Sequence, residues 1–125
     1  SLERGLVAAS EHALHILAVA AQAAADKKAD KIVALDVSEH LVITDAFLIA
    51  SGSSDRQVNA IVDGIDEALL KEGIKAIRRE GHREGRWVLL DYFDVVIHVQ
   101  QEEERGLYDL ERLWADCPQI PLEIV

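Results

Sequence analysis

The chain has 125 residues and half of them are hydrophobic, so we expect one folded domain with a packed core and no extensive disorder. Its formal net charge of −10 argues against nonspecific nucleic-acid binding, because an acidic surface repels phosphate backbones, and it favours a basic protein partner. A single cysteine, Cys117, excludes an internal disulfide and is compatible with a reducing cytosol.

The first predicted element is a helix from about Leu2 to Asp26. Small apolar side chains recur along it every three or four residues, and alanine favours helix intrinsically. These positions are Leu6, Ala9, Ala13, Leu17, Ala20 and Ala24. The alanine-rich run from Ala13 to Ala25 is too short and too weakly hydrophobic to span a membrane, and it lacks the pattern of a signal peptide. We therefore expect a soluble, cytoplasmic protein.

Two strands and a second helix are predicted next. The strands are the apolar runs Lys31 to Val37 and Ala46 to Ser51, and the segment between them is either a loop or a hairpin that pairs Leu41 to Ile43. The helix, Asp55 to Glu72, has one apolar face and ends at Gly73. Its apolar positions are Val58, Ile61, Val62, Ile65, Ala68 and Leu69.

A β-hairpin is predicted for "RWVLLDYFDVVIHVQ", after a third strand in "IKAIRRE", residues 74–80. With Asp91 to Asp94 as the turn, the register follows, because side chains alternate between the two faces of a strand. The predicted cross-strand pairs are Leu90 with Val95, Val88 with Ile97 and Trp87 with His98. The core face is apolar and consists of Val88, Leu90, Val95, Ile97 and Val99. The opposite face is mixed and consists of Trp87, Leu89, Asp91, Val96, His98 and Gln100.

A last helix is predicted from about Glu103 to Ala115. Its apolar side carries Leu107, Leu110, Leu113 and Trp114. Pro118 and Pro121 are expected to end regular structure, so residues 1–116 form the domain and residues 117–125 an extended tail. This order of elements predicts a single α/β domain in which a mixed β-sheet is flanked by helices.

The segment "SGSSDRQV", Ser51 to Val58, has the composition of a phosphate-binding turn but is better explained as a capped helix start. Ser54 and Gln57 have the spacing of a capping box, and Asp55 would repel a phosphate. A nucleotidyltransferase needs two carboxylates on one face of a strand, about 4 Å apart, to share two metal ions. The acidic residues that follow lie instead on the polar side of the second helix, at Asp63, Asp66 and Glu67. We therefore expect no catalytic residues, no metal and no cofactor.

Three further candidate sites carry weaker signals. Asp91 and Asp94 could form an acid–base pair, but aspartate is a common turn residue that hydrogen-bonds its own backbone. The five histidines have no shared metal-binding spacing. Cys117 lies beside a proline with no base nearby in the sequence, so nothing supports a catalytic thiol.

A basic cluster leads directly into Trp87. It consists of Arg78, Arg79, Arg83 and Arg86, and Glu80 and Glu84 dilute it. The cluster is either a solvated connection or a contact zone, since arginine beside tryptophan is typical of interface hot spots. Trp87 itself is either a core residue or a contact residue, because tryptophan is usually largely buried.

Four segments, in this order and separation, carry a resemblance to a known family. They are "DKKADKIVALDV", "ITDAFLIASGSSDRQVNAIVDGIDEAL", "EGHREGRWVLLDYFDVVIHV" and "ERGLYDLERLW". Over roughly residues 6–116 the chain resembles the ribosomal silencing factor family, also called Iojap-like. The resemblance implies a nucleotidyltransferase-like topology without catalytic residues, which agrees with the missing carboxylate pair.

The resemblance also implies a function, that of a translational repressor. Family members bind a large-subunit ribosomal protein, the fourteenth, on the face that meets the small subunit, and so block subunit joining. Their contact surface includes the tryptophan at the start of the hairpin and the residue after it, here Trp87 and Val88, with Arg86 as a neighbour. Because strand alternation turns Val88 toward the core, Trp87 is the first choice among these partner-binding residues.

The sequence leaves two alternative functions open. One is a nucleotidyltransferase-like enzyme that uses Ser51 to Val58 on a nucleotide. The other is an RNA-contacting ribosome assembly factor that uses the basic cluster. Even for the repressor, a minor contact with ribosomal RNA is expected from Arg78, Arg79 and Arg83. Relatives often form homodimers, and the sequence neither requires nor excludes one.

One position departs from the family pattern. The hairpin turn of the family usually carries glycine where this chain has Phe93. Glycine adopts positive φ at no steric cost and phenylalanine does not. We therefore expect a four-residue loop around a type I turn, with Tyr92 and Phe93 projecting from the hairpin tip.

Overall fold

The computed structural model describes residues 9–125, which form a mixed sheet with helices on both of its faces. In chain order the elements are α1 (Glu11–Asp26), β1 (Asp30–Asp36), β2 (Ala46–Gly52), α2 (Asp55–Lys71), β3 (Arg78–Glu80), β4 (Trp87–Asp91), β5 (Val95–Gln101), α3 (Glu102–Leu107), α4 (Leu110–Leu113) and β6 (Gln119–Ile120). None of the helices in this range is long and apolar enough to cross a membrane.

The six strands lie in the order β3-β4-β5-β2-β1-β6. Strands β2 and β5 pair in parallel, and all other neighbours pair antiparallel. Helices α1 and α2 cover one face of the sheet, and their buried side chains pack on Leu48, Val88 and Ile97 in the main core. The α3–α4 segment lies on the opposite face, where Trp114 packs on a smaller cluster that contains Phe47. The predicted α/β class, with a mixed sheet flanked by helices, is confirmed.

Helix α1 begins at Glu11, later than the predicted start near Leu2. Ser10 is the N-cap and its Oγ accepts the N–H of Ala13 at 3.1 Å, as capping serines do. The N–H of Ser10 donates to Asp45 Oδ2 at 2.9 Å, which fixes this helix end against the sheet. Residues 2–8 of the prediction lie outside the described part of the chain. The small side chains of the buried stripe allow α1 to pack closely on α2 and on the sheet.

Helix α2 matches its prediction. Its buried positions are Val58, Ile61, Val62, Ile65 and Leu69, and full burial of such a side chain is worth about 1.5–3 kcal/mol. Ser54 Oγ accepts the N–H of Gln57 at 3.1 Å, which confirms the predicted cap. The Gln57 side chain reaches back one residue further than a capping box requires, and its Oε1 accepts the N–H of Ser53 at 2.7 Å. Its Nε2 donates to the Lys28 carbonyl at 3.0 Å, so the start of α2 is tied to the end of α1.

The β4–β5 hairpin has the predicted faces but a different register. The observed pairs are Val88 with Val99, Leu90 with Ile97, Leu89 with His98 and Trp87 with Gln100. The predicted pairs were therefore wrong by two residues on one strand. A shift of two preserves which side chains share a face, so every predicted core residue of the hairpin is fully buried.

The register differs because the turn is tighter than the predicted four-residue loop. Phe93 has φ +73°, and the N–H of Asp94 donates to the Tyr92 carbonyl at 3.0 Å, which together form a γ-turn of the rare positive-φ type. Such a conformation costs an L-residue on the order of 1–2 kcal/mol. Asp91 Oδ1 accepts the N–H of Phe93 at 2.8 Å and helps to hold the turn. The predicted type I turn is therefore wrong.

The prediction that Tyr92 projects from the hairpin tip is wrong. It is 5% exposed, and its hydroxyl donates to Asp66 Oδ1 on α2 at 3.1 Å. Burial, together with the neighbouring Asp66 carboxylate, raises the pKa of the Tyr92 hydroxyl well above its ordinary value. Phe93 alone projects, and it is half exposed.

Three other segments differ from the predictions. The third strand is limited to Arg78–Glu80, because the N–H of Ile74 still donates to the Leu69 carbonyl at the end of α2. Residues 41–43 form a loop, since no strand lies between β1 and β2. Pro118 does not end regular structure, because Gln119–Ile120 pairs with β1 as an edge strand.

The predicted last helix is broken into α3 and α4. Asp109 starts a new helix, since its side chain accepts the N–H of Arg112 at 3.2 Å. The break turns Leu107 and Leu113 outward, and they are 71% and 75% exposed. The prediction of one continuous helix is therefore wrong, and its four apolar residues do not form one buried face. The charged Arg105 takes the inward position instead.

Candidate functional site

The turn between β2 and α2 is the capped helix start described above, and its surroundings are acidic. A cavity of about 370 Å³ lies beside it, lined by Asp55, Glu84, Arg86, Gln101, Glu103 and Glu104. Four carboxylates and one guanidinium give this cavity a negative balance, which disfavours phosphate groups. Within residues 9–125, no three histidine, cysteine or acidic side chains are placed so that they could hold a metal ion.

Three acidic residues of α2, Asp63, Asp66 and Glu67, are engaged in ion pairs. Arg79 reaches Asp63 at 3.4 Å and Asp66 at 3.5 Å, and Asp66 also accepts the Tyr92 hydroxyl. These groups attach the β3 edge and the hairpin to α2. Their geometry is that of a surface ion-pair network, which usually contributes less than about 1 kcal/mol per exposed pair.

The candidate acid–base pair at the hairpin is a set of turn contacts. Asp91 accepts the N–H of Phe93 through one oxygen and the Arg78 guanidinium, at 3.3 Å, through the other. Arg78 also lies 3.5 Å from Glu80. Two arginines of the basic cluster, Arg78 and Arg79, are thus paired with carboxylates of the same protein. The other two, Arg83 and Arg86, make no side-chain ion pair within the described residues.

Trp87 lies at the first position of β4, on the face of the sheet opposite α1 and α2. Its indole Nε1–H donates to His98 Nδ1 at 3.1 Å, and its ring lies 5.2 Å from the ring of Tyr108, centroid to centroid. It is half-buried, so one part of the indole is fixed and another part meets solvent. Val88 is fully buried on the other face. Of the three predicted partner-binding residues, Trp87 and Arg86 therefore present side chains at the surface.

His98 fixes the indole and is itself enclosed. It is 6% exposed, and the Phe47 ring meets its imidazole edge-on at 5.0 Å. Burial lowers the pKa of His98 to about 4, so the ring is neutral at neutral pH. Because Nδ1 accepts the indole N–H, the proton must sit on Nε2, which has no partner among the described residues.

An open groove adjoins Trp87 and has exposed apolar walls. We call it the aromatic groove, of about 640 Å³, lined by Trp87, Gly106, Leu107, Tyr108, Asp109, Leu110, Arg112 and Leu113. Its largest exposed apolar side chains are Leu107, Tyr108 and Leu113. Sequence reasoning missed these three because it assumed one continuous helix. The signal that could have found them is the Asp109 cap inside that helix.

Arg105 holds the aromatic groove to the sheet. Its guanidinium donates to Ser51 Oγ at 2.7 Å and to Glu111 Oε1 at 2.8 Å, although the residue is only 6% exposed. A buried guanidinium with both a hydroxyl and a carboxylate partner keeps its charge satisfied. The α3–α4 segment is therefore anchored at its centre, and the groove beside Trp87 is formed before any partner arrives.

Comparison with known proteins gives a consistent result. The family model described as "Ribosomal silencing factor during starvation" matches residues 10–125. The chain is 44% identical over 108 residues to the ribosomal silencing factor of Halalkalibacterium halodurans, covering 86% of this chain and 92% of that protein. It is 30% identical over 91 residues to a mouse protein named "Mitochondrial assembly of ribosomal large subunit protein 1", covering 70% of this chain and 40% of that protein. A crystal structure of a Chromobacterium violaceum protein superimposes with a TM-score of 0.80 at 36% identity, covering 86% of this chain and 88% of that one.

Proposed function

Since the chain belongs to the ribosomal silencing factor family and so has a ribosome-associated silencing role, we propose that it represses translation by a purely steric mechanism. In this proposal it binds the fourteenth protein of the large ribosomal subunit, on the face that meets the small subunit. The bound protein then occupies the place of the small subunit and prevents joining. The site of action is the cytoplasm.

The observation that carries the proposal is the surface formed by Trp87 and the aromatic groove. A half-buried tryptophan beside exposed leucine and tyrosine side chains has the composition of an interface hot spot. The His98 hydrogen bond and the Tyr108 ring hold the indole in place, so little side-chain entropy is lost on binding. An apolar surface with a fixed aromatic centre favours a protein partner.

Charge supports a basic partner. The net charge of −10 would repel ribosomal RNA over most of the surface and attract a basic ribosomal protein. The predicted RNA contact through Arg78, Arg79 and Arg83 is reduced by the ion pairs of the first two, so any such contact relies on Arg83 and Arg86. The mouse relative's name refers to the large ribosomal subunit, in line with this partner.

We also propose that no chemical step is involved. Of the three acidic residues on the polar side of α2, two, Asp63 and Asp66, are attached to Arg79. They therefore serve the packing of β3 on α2. An isothermal titration with magnesium and a nucleoside triphosphate tests this: heat of binding with a defined stoichiometry would contradict it.

The binding proposal is tested with Trp87→Ala and purified large subunits. Loss of a hot-spot tryptophan costs about 2 kcal/mol of binding free energy, so the Kd for large subunits, measured by co-sedimentation, should rise roughly thirtyfold. Inhibition of subunit joining, measured by adding small subunits, should weaken by a matching factor. Leu70→Ala is the matched control, because Leu70 is an exposed apolar residue on α2, on the other side of the sheet. Equal binding by the Trp87→Ala and Leu70→Ala proteins would show that the contact lies elsewhere.

A further inference from the structure

The tip of the β4–β5 hairpin carries a strained and exposed aromatic residue. Phe93 has a φ of +73°, which L-residues rarely adopt, and it is 54% exposed. Within the described residues its ring stacks on no other aromatic ring. Glycine would remove the strain and would expose no apolar surface. The fold therefore gains nothing evident from phenylalanine at this position, and strain of this kind is typical of functional sites.

Two more exposed apolar residues lie at the same end of the sheet. The Asp94 carbonyl accepts the N–H groups of Asp45 at 2.8 Å and Ala46 at 3.1 Å, which ties the hairpin tip to the end of the β1–β2 loop. That loop exposes Val42 completely and Ile43 by 67%. An adjacent valine and isoleucine in solvent, on a loop that is hydrogen-bonded to the residue after an exposed phenylalanine, indicate an interaction surface rather than a solvated loop.

The charges at this end select the kind of partner. Glu39 and Asp94 make no side-chain hydrogen bond or ion pair within the described residues. A free carboxylate next to an exposed aromatic ring fits an arginine or lysine side chain, which both groups attract. Nucleic acid and anionic membranes are disfavoured by the same carboxylates.

We propose that Val42, Ile43 and Phe93, here called the tip patch, form a second contact with the large ribosomal subunit, against a basic protein segment in which arginine or lysine adjoins apolar residues. This inference rests on the proposed function, because it assumes that the large subunit is the partner. Phe93 follows Trp87 by six residues along the hairpin, about 20 Å at the rise of an extended strand. The tip patch is thus separate from the aromatic groove, and the two can be altered independently.

The variant Phe93→Gly separates binding from folding. Glycine adopts the observed φ without strain, so the midpoint of thermal unfolding should stay equal or rise. The Kd for purified large subunits should become roughly tenfold weaker, the size of effect expected for an aromatic interface residue. Ile43→Ser, on the neighbouring loop, should weaken binding as well, and Leu70→Ala again serves as the control.

The outcomes distinguish the tip patch from the proposed function. If Phe93→Gly binds large subunits like wild type while Trp87→Ala does not, the proposal for the tip patch is wrong, and the proposed contact through Trp87 and the aromatic groove stands. If the wild-type protein does not bind large subunits, both proposals fall.

Photo-cross-linking identifies the class of partner. With p-benzoylphenylalanine at position 93 and purified large subunits as the probe, we expect the label on a basic ribosomal protein. A cross-link to ribosomal RNA, or none at all in a protein that still co-sediments, would overturn the proposal.

Discussion

Protonation of His98 should weaken the fold as the pH falls below neutrality. In the native state His98 is buried, its Nδ1 accepts the indole N–H of Trp87, and Phe47 covers the ring edge-on. A proton on Nδ1 would replace this acceptor by a donor facing the indole N–H and would place a charge in an apolar site. The protonated form is therefore destabilised in the folded protein.

The size of the effect follows from the pKa of His98. It falls from 6.5 to about 4 on folding because of burial, and each unit corresponds to 1.36 kcal/mol, so the linkage amounts to about 3 kcal/mol. Since the folded-state pKa is lowered, the unfolded chain binds more protons between these two values. The stabilisation by neutral His98 is fully present above pH 6.5 and is progressively lost as the pH falls toward 4.

Urea unfolding of wild type and His98→Gln at a series of pH values measures the contribution of neutral His98 to the free energy of unfolding. Glutamine can still accept the indole N–H through its carbonyl oxygen but does not titrate, and the carboxylates contribute equally to both proteins. The difference in unfolding free energy should therefore shift by about 2–3 kcal/mol, in favour of the variant, between pH 7.5 and 4.5. Parallel pH profiles for the two proteins would refute the assignment of His98 as a buried neutral acceptor.

Further predictions concern two glycines and a buried arginine. A Cβ at Gly81, whose φ is +82°, would lie 2.1 Å from the Trp87 carbonyl oxygen, so Gly81→Ala should cost roughly 3 kcal/mol or more in urea unfolding. A Cβ at Gly64 would meet only flexible atoms of Lys27, at 3.1 Å, so Gly64→Ala should be neutral or gain up to about 1 kcal/mol. The opposite ranking of the two would contradict the geometry. Arg105→Met should cost about 1–3 kcal/mol and speed amide hydrogen exchange in residues 106–113, because the anchor of the aromatic groove is lost. Unchanged exchange there would show that the groove is held by other contacts.

The sequence was sufficient where one periodic pattern controlled the structure. Helix α2 and the apolar face of the hairpin were predicted because burial on one side leaves few alternatives. The absence of a carboxylate pair after Ser53 was visible for the same reason, since Asp63 and Asp66 had to lie on the polar side of α2. Fold class and the choice of Trp87 as a surface candidate were thus available from the sequence.

Tertiary contacts decided the features that the sequence did not predict. Phe93 adopts positive φ against its own preference because Asp91 and the buried Tyr92 fix the chain on either side. The Asp109 cap marks the break of the last helix locally, but the placement of the α3–α4 segment on the sheet depends on Arg105, which turns inward to Ser51 on a strand more than fifty residues earlier. No local pattern contains such partners, so hairpin register and groove shape could not be read from the sequence.

The two proposed contacts share one structural element, and this limits how they can act. Trp87 is the first residue of β4 and Phe93 lies in the turn just beyond its last residue, while Val88 and Leu90 between them are fully buried in the main core. A strand packed in this way is stiff, so the spacing of the two aromatic side chains is set before binding. A rigid two-point contact favours a partner with matching spacing and penalises any other surface, which is the property that a steric block of one ribosomal face requires. If Trp87→Ala and Phe93→Gly each weaken binding, and the double variant weakens it by the product of the two factors, the contacts act independently through this rigid hairpin. A smaller combined loss would show that one contact forms only after the other has been made.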